Sequence, residues 1–317
     1  MVLTNIVHLQ EGIKVLVNPS QEYFDQFHEW VSETEGWRYR PAEYSMWKST
    51  FENFWFYLAI DEETNKIISG VGIAKQYSID DQQPIYIVGN YYCVPKWRGK
   101  GVSNKLFKMA IAQAGENNCA LLGAPRMSPL YASRFNFSLI NGYWLNFGAI
   151  SSQHILIPQQ VGDLDVREIE DNDWSDIFDY DEKISKLDRH AFIRASLSDD
   201  STISRICRSP SGKITGFGAM KKVMGDEVYL SPLYADNFDA ALSIVSGLLE
   251  SIPGDWVYST VNLLYPETNS NISKLLNMIS GHRFKYHNEY RNQYTKRRLE
   301  YPLEKVWACE DSSHGLV

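Results

Sequence analysis

Apolar residues near the start of the chain recur first at the spacing of a strand and then at that of a helix. The run Ile13–Val17 is typical of a strand, and Asn18, Pro19 and Ser20 after it are typical of a helix start. The next apolar positions predict a helix that ends near residue 35. The same periodicity predicts helices 41–51, 103–114 and 129–138, and strands 54–61, 66–77, 85–95, 119–124 and 143–151.

The second half of the sequence repeats this order of elements. Its pattern predicts a strand at Val166, helices 173–180, 189–197, 240–249 and 271–279, and strands 203–208, 214–223, 227–233, 256–261 and 286–294. We therefore predict an α/β (α+β) fold of two tandem units, domains 1–157 and 158–317. Each would be a mixed, mainly antiparallel twisted sheet flanked by helices. The small polar tail 310–317 is predicted to be disordered.

The composition agrees with two packed domains, since the 317 residues are 44% hydrophobic and 22% charged. A net charge of −8 argues against nucleic acid or an anionic membrane as a partner. Most of it lies in residues 158–317, which carry −7. The four cysteines are far apart, so neither a disulfide framework nor a metal site is predicted. The first residues have no signal-peptide pattern, and we expect a cytoplasmic protein. The sequence leaves open whether the acidic second half contacts another protein.

The chemically informative segment is VPKWRGKGVSNKLF, residues 94–107. A buried strand ends there, a basic loop with two glycines follows, and an amphipathic helix begins. Glycines allow backbone amides to converge, and a helix N-terminus adds a positive dipole, so the segment is suited to holding a pyrophosphate. The spacing fits neither GxxxxGK[ST] nor GxGxxG.

This segment resembles the coenzyme A loop of the GNAT superfamily of N-acetyltransferases, in which a strand ends V-x-P and R-x-x-G-x-G/A follows. Val94, Pro95, Arg98 and Gly101 match that pattern, with Ser103 in place of glycine or alanine. The resemblance covers the first 150 residues. Residues 35–37 (EGW) and 231–237 (SPLYADN) further resemble a two-domain GNAT subgroup. The cofactor-binding residues that it implies are Cys93, Val94, Arg98, Gly99, Lys100, Gly101, Val102, Ser103, Asn104 and Tyr131.

The same resemblance implies a set of catalytic groups, and the sequence departs from it. Many GNAT enzymes place a glutamate four residues before the V of V-x-P, where this chain has Asn90. Asparagine orients a water but does not accept a proton, and Tyr92 on the same strand face is a candidate for a water relay. Pocket lining is the alternative role for both. The family's general-acid tyrosine corresponds to Ser138, with Tyr131 as a weak substitute.

The acceptor pocket of this family is framed by the segment between the first two helices. Here that segment supplies the aromatic residues Trp37, Tyr39, Tyr44 and Trp47, which suit a ring or an ammonium group. Core packing is expected to account for two of the four. A small-molecule primary amine is the predicted acceptor.

These observations favour an acetyl-CoA-dependent N-acetyltransferase that works by direct transfer in a ternary complex, without a metal. The first domain would be catalytic and the second a degenerate accessory unit, because residues 229–241 lack a basic glycine loop and Asp236 and Asp239 would repel a pyrophosphate. A non-catalytic acyl-CoA-binding or sensing protein is the alternative, which the missing glutamate and tyrosine favour. A scaffold without a ligand would leave the loop at residues 98–103 unexplained.

Overall fold

The computed structural model describes residues 5–310 and 313–317, and its elements follow the same order in both halves. The first half contains β1 (Asn5–Gln10), β2 (Ile13–Val17), α1 (Gln21–Glu35), α2 (Glu43–Thr50), β3 (Asn53–Asp61), β4 (Ile67–Ser78), β5 (Pro84–Cys93), α3 (Val102–Ile111), β6 (Asn118–Gly123), α4 (Ser128–Phe135), β7 (Leu139–Ile140) and β8 (Leu145–Ser151). The second contains β9 (Asp165–Arg167), α5 (Trp174–Ser185), β10 (Leu187–Asp188), α6 (His190–Leu197), β11 (Thr202–Arg208), β12 (Ile214–Val223), β13 (Glu227–Ala235), α7 (Phe238–Glu250), β14 (Thr260–Pro266), α8 (Ile272–Ser280), β15 (Lys285–Tyr294) and β16 (Val306–Ala308).

One largely antiparallel sheet runs through both halves. Its strand order is β1-β2-β3-β4-β5-β6-β15-β8-β14-β13-β12-β11-β9, and β5–β6 and β13–β14 are the parallel pairs among the described strands. The halves exchange strands at the centre. β8 of the first half lies between β14 and β15, while residues 291–294 of β15 pair with β6. Each half therefore supplies hydrogen-bond partners to the backbone of the other.

Helices cover both faces of the sheet. On one face, α3 and α4 pack on first-half strands and α7 and α8 on second-half strands. On the opposite face, α1, α2, α5 and α6 share one apolar core that includes residues of both halves. Within the described part of the chain, none of the helices has the length and apolarity needed to cross a bilayer.

The predicted fold class is confirmed, and the predicted elements occur in the predicted order, with one strand misplaced and with β1, β7, β10 and β16 not predicted. Residues 256–259 are irregular and the strand begins at Thr260. Trp256 and Tyr258 pack against the second-half core from outside the strand, so their aromatic character reflects packing rather than pairing. The predicted boundary at residue 157 lies in the irregular segment between β8 and β9. A division into two domains there stays a prediction, because the sheet is continuous across the halves.

The prediction of a disordered tail is wrong for the residues of the tail that the structure describes. Asp311 and Ser312 lie outside the described residues, whereas Glu310 and residues 313, 314, 316 and 317 are buried. Leu316 packs among Ile85, Ile87 and Leu187 in a small apolar cluster. Burial of Leu316 and Val317 offsets the entropy lost in ordering the segment, which its polar composition did not reveal.

Buried charged residues form a pair within the second half and a contact between the halves. Lys221 of β12 contacts Glu310 at 2.6 Å, and both side chains are almost inaccessible to water. Burial lowers the pKa of Lys221, and the attraction of Glu310 opposes that change. Arg40 forms a two-bond ion pair with Glu43 and donates to the carbonyl of Ser196 in the other half at 3.0 Å. Removing one member of such a pair leaves a buried charge uncompensated.

We expect Lys221→Met to lower the free energy of unfolding by about 3 kcal/mol, because it strands the carboxylate of Glu310 in the core. Urea denaturation followed by tryptophan fluorescence measures this loss. Lys296→Met is the matched control, since it breaks an exposed pair with Glu116 and should cost at most about 1 kcal/mol. Equal losses in the two variants would contradict the buried pair.

Candidate functional site

The site begins where β5 and β6 part. Their parallel pairing ends at Val88 and Leu121, and beyond that point β5 has no strand partner on this side within the described residues. The β4–β5 register shifts between Gly70 and Gly72, so that two residues of β5 lie opposite one of β4. One of the two is Asn90, whose φ is 56°. Asparagine adopts this left-handed conformation more readily than most residues, so it suits the bulge.

The predicted loop closes the widening gap. Gly99 and Gly101 have φ of 79° and 84°, and open space surrounds the position of a Cβ on either. Glycine is therefore favoured at both positions by the backbone conformation and not by lack of space for a side chain. Gly101 precedes α3, and no side chain caps this helix. The first amides of α3, those of Val102, Ser103 and Asn104, thus remain for an anion, in agreement with the predicted pyrophosphate site.

The side chain of Arg98 is held by hydrogen bonds to other parts of the chain. Its guanidinium donates to the carbonyl of Cys93 and to Glu35, each at 2.9 Å. The other carboxylate oxygen of Glu35 accepts from Arg126 at 2.8 Å, beyond the end of β6. Glu35 therefore bridges the two sides of the gap, a role that sequence reasoning missed. Lys100 lies over the Trp97 ring at 4.6 Å.

The backbone at the end of β5 is largely engaged within the chain. The amide of Val94 donates to Ile68, and its carbonyl accepts from Trp97, each at 2.9 Å. The carbonyl of Cys93 is taken by Arg98. Each of these three groups already has a hydrogen-bond partner within the chain.

On the α3 face, the gap is lined by Tyr91, Cys93, Ser103 and Tyr131. Burial raises the pKa of Tyr91 and of Cys93, and a hydrogen bond from Ser103 moderates both. Tyr131 packs 5.7 Å from Phe107 and 6.2 Å from Tyr91, measured between ring centroids. Burial raises the pKa of Tyr131, so its hydroxyl stays protonated and is a weaker acid than a free tyrosine.

Ser138, the other candidate acid, is not brought to this cluster. It is exposed on the segment that follows α4. The structure thus places Tyr131, and not Ser138, beside the gap, and an acid role for either stays a prediction.

On the opposite face, the side chain of Asn90 is held by several groups. The hydroxyls of Tyr39 and Ser313 donate to its Oδ1, the second at 3.4 Å, and its Nδ2 lies 3.3 Å from Nε2 of His314. The Tyr92 hydroxyl lies 2.8 Å from that of Thr34 at the end of α1. Tyr39, Asn90 and Tyr92 are therefore brought to one side of the gap, as predicted.

Three of the four predicted acceptor-binding aromatic residues, Tyr39, Tyr44 and Trp47, are buried in the core, one more than expected. Tyr44 and Trp47 are fully buried, Tyr44 against Phe24 with ring centroids 4.4 Å apart. Neither is accessible to a ligand in this structure, because α2 packs them under β3. Trp37 is partly buried, and Tyr39 is the member whose hydroxyl reaches Asn90.

In the second half the equivalent gap is filled by the chain itself. β13 and β14 pair over residues 227–229 and then part, and β16 pairs with β13 at Leu233 and Tyr234. The amide of Cys309 donates to Leu264 of β14 at 2.7 Å, which closes the other side. The side chain of Asn237 caps α7. This half therefore lacks both the open gap and the uncapped helix of the first.

Two family models match the sequence. A family model described as a protein of unknown function (DUF1248) matches residues 10–184, which is more than half of the chain. The chain belongs to this family. A second model, described as an acetyltransferase (GNAT) domain, matches residues 177–295. No curated protein matches the sequence.

Solved structures share the whole fold at low sequence identity. A proposed acetyltransferase from Pyrococcus horikoshii is 12% identical with a TM-score of 0.71, covering 96% of this chain and 97% of that chain. A tandem GNAT protein from the clavulanic acid biosynthesis pathway is 10% identical with a TM-score of 0.63, covering 91% and 96%. The N-myristoyltransferase of Saccharomyces cerevisiae, with bound myristoyl-CoA, is 10% identical with a TM-score of 0.59, covering 97% and 91%. The predicted tandem GNAT fold is confirmed by these structures.

Sequence reasoning missed the tail residues Ser313 and His314 at Asn90. The available signal was indirect: Gly72 and Gly89 interrupt the interiors of two buried strands, where glycine often marks the close approach of another segment. Nothing in the tail's own pattern indicated that it was this segment.

We expect Gly101→Asp to abolish coenzyme A binding, since it sets a carboxylate against the phosphates at the start of α3. Gly101→Asn is the matched control, because it carries the same backbone strain without the charge and should weaken binding by no more than about tenfold. Calorimetric titration with coenzyme A measures both. Unchanged binding in the aspartate variant would show that the loop does not hold the phosphates.

Proposed function

We propose that this DUF1248 protein is an acetyl-CoA-dependent N-acetyltransferase that modifies a primary amine of a small molecule by direct transfer in a ternary complex. The first half holds the cofactor and the second half is accessory. The observation that carries the proposal is the uncapped start of α3 behind two left-handed glycines, at the mouth of the gap between β5 and β6. Its counterpart in the second half is filled and capped.

In the proposed reaction, the amine nitrogen attacks the thioester carbonyl, the new C–N bond forms and the C–S bond breaks. One proton leaves the nitrogen, and one proton is taken up by the departing thiolate. We assign donation of the latter to Tyr131, whose hydroxyl is protonated beside the gap and regains its proton from solvent after each turnover. The former passes to a water oriented by the hydroxyls of Tyr92 and Thr34 and from there to solvent, since Asn90 accepts no proton.

Positioning supplies much of the rate in such a reaction, so a missing carboxylate does not argue against transfer. Holding an amine against a thioester is equivalent to an effective concentration of about 10⁵ M or more. The proposed acceptor contacts are Trp37, which is partly buried, and Tyr39, whose hydroxyl reaches Asn90.

A non-catalytic acyl-CoA-binding or sensing protein is the second candidate. The observation that favours it is that the amide of Asn90 is already engaged by Tyr39, Ser313 and His314. Such a protein would bind the cofactor through the same loop and release no thiol.

We expect acetyl-CoA to bind in a calorimetric titration and primary amines to cause thiol release. Thiol release is followed with a thiol-reactive chromophore across a panel of aromatic and aliphatic amines, with the Gly101→Asp variant as the blank. Binding with no release from any amine would favour the sensor. Absence of binding would contradict both candidates.

A further inference from the structure

The C-terminal tail is seated in the face of the first-half sheet that carries Asn90. His314 is 1% exposed, and its ring meets Trp47 and Phe54 edge-on at centroid distances of 4.8 and 5.1 Å. Buried side chains hold the tail's backbone. Gln76 donates to the carbonyl of His314 at 2.7 Å, and Asn292 to that of Leu316 at 2.9 Å. Donors from both halves therefore fix the segment.

Two strand glycines make room for it. A Cβ on Gly89 would lie 2.0 Å from the carbonyl oxygen of Ser313, and one on Gly72 would lie 2.9 Å from the His314 ring. Neither glycine has a positive φ, so close approach rather than backbone conformation is what requires them. The strands are thus shaped to receive the tail next to the β5 bulge.

The hydrogen bonds of His314 determine how the Asn90 amide is turned. Nδ1 lies 3.3 Å from the carbonyl of Ile87, which only accepts, so Nδ1 carries the proton. Burial lowers the pKa of His314 to about 3, so the ring is neutral and Nε2 is left as an acceptor. It faces Nδ2 of Asn90, which directs Oδ1 toward the hydroxyls of Tyr39 and Ser313.

We propose that residues 313–317 form a fixed wall of the acceptor site and that His314 is a positioning residue, which sets the orientation of Asn90 and, through it, of Tyr39. This inference rests on the proposed function, since Asn90 and Tyr39 border the reacting centre only if the gap holds the thioester. It gives the second half a part in the reaction, because the tail reaches the first half from β16.

The test compares His314→Gln with His314→Leu. Glutamine supplies one donor and one acceptor as the neutral ring does, whereas leucine supplies neither. We expect His314→Leu to lower kcat by about tenfold to a hundredfold with the Kd for acetyl-CoA unchanged, since misplacement of a site residue acts on the chemical step. His314→Gln should restore kcat to within about threefold of the parent.

A second pair of variants tests the seating of the tail without any assay of activity. Gly89→Ala should displace the tail and raise amide hydrogen exchange in residues 313–317, measured by mass spectrometry. Gly142→Ala is the control, because open space surrounds its Cβ position and its φ is not positive. Equal exchange in the two variants would overturn the proposed wall.

The readouts separate this proposal from the proposed function. Equal kcat in His314→Leu and the parent, or equal losses in the leucine and glutamine variants, would overturn the positioning role. If the parent binds no acetyl-CoA, the proposed function fails, and the side-chain amide ¹⁵N signal of Asn90 then decides on positioning. A shift of that signal in His314→Leu that glutamine reverses supports the role, and an unmoved signal refutes it.

Discussion

The pairing of β15 with strands of both halves is the constraint on which the rest of the architecture depends. Residues 285–290 bond to β8, and residues 291–294 bond to β6 and β7. Backbone groups at the centre of a sheet must find partners, so this one strand fixes the position of the halves relative to each other. The shared core of α1, α2, α5 and α6 and the hydrogen bond from Arg40 to the carbonyl of Ser196 form between the halves that β15 joins.

The two halves have similar folds, but they differ in the gap between their parallel strands. In each half, two parallel strands pair and then separate. In the second half, β16 and Cys309 occupy the gap between them. Among the described residues, no strand occupies the gap of the first half. The difference continues into the helices, because Asn237 caps α7 while α3 starts from an uncapped glycine. Residues beyond β15 thus contribute to both units: β16 and Cys309 fill the gap of the second half, and residues 313 and 314 contact Asn90 in the first.

The order of elements could be predicted from the sequence, because amphipathic periodicity is local. The anion-binding loop was predictable for the same reason, since Gly99, Gly101 and the start of α3 are contiguous. The strand exchange and the tail were not, because both pair residues more than a hundred positions apart. The brace from Arg98 to Glu35 depends on the same long-range folding, as does the burial of Tyr44 and Trp47.

The placement of His314 also sets an order of events during synthesis. Strands β4 and β5 emerge from the ribosome more than two hundred residues before the segment that covers Gly72 and Gly89. Until residues 285–317 are made, the first half has an unpaired edge at β6 and an apolar hollow at Asn90, both of which attract other strands and apolar surfaces. The site on the first half is therefore complete only after residues 313–317 have been synthesised and have folded against it.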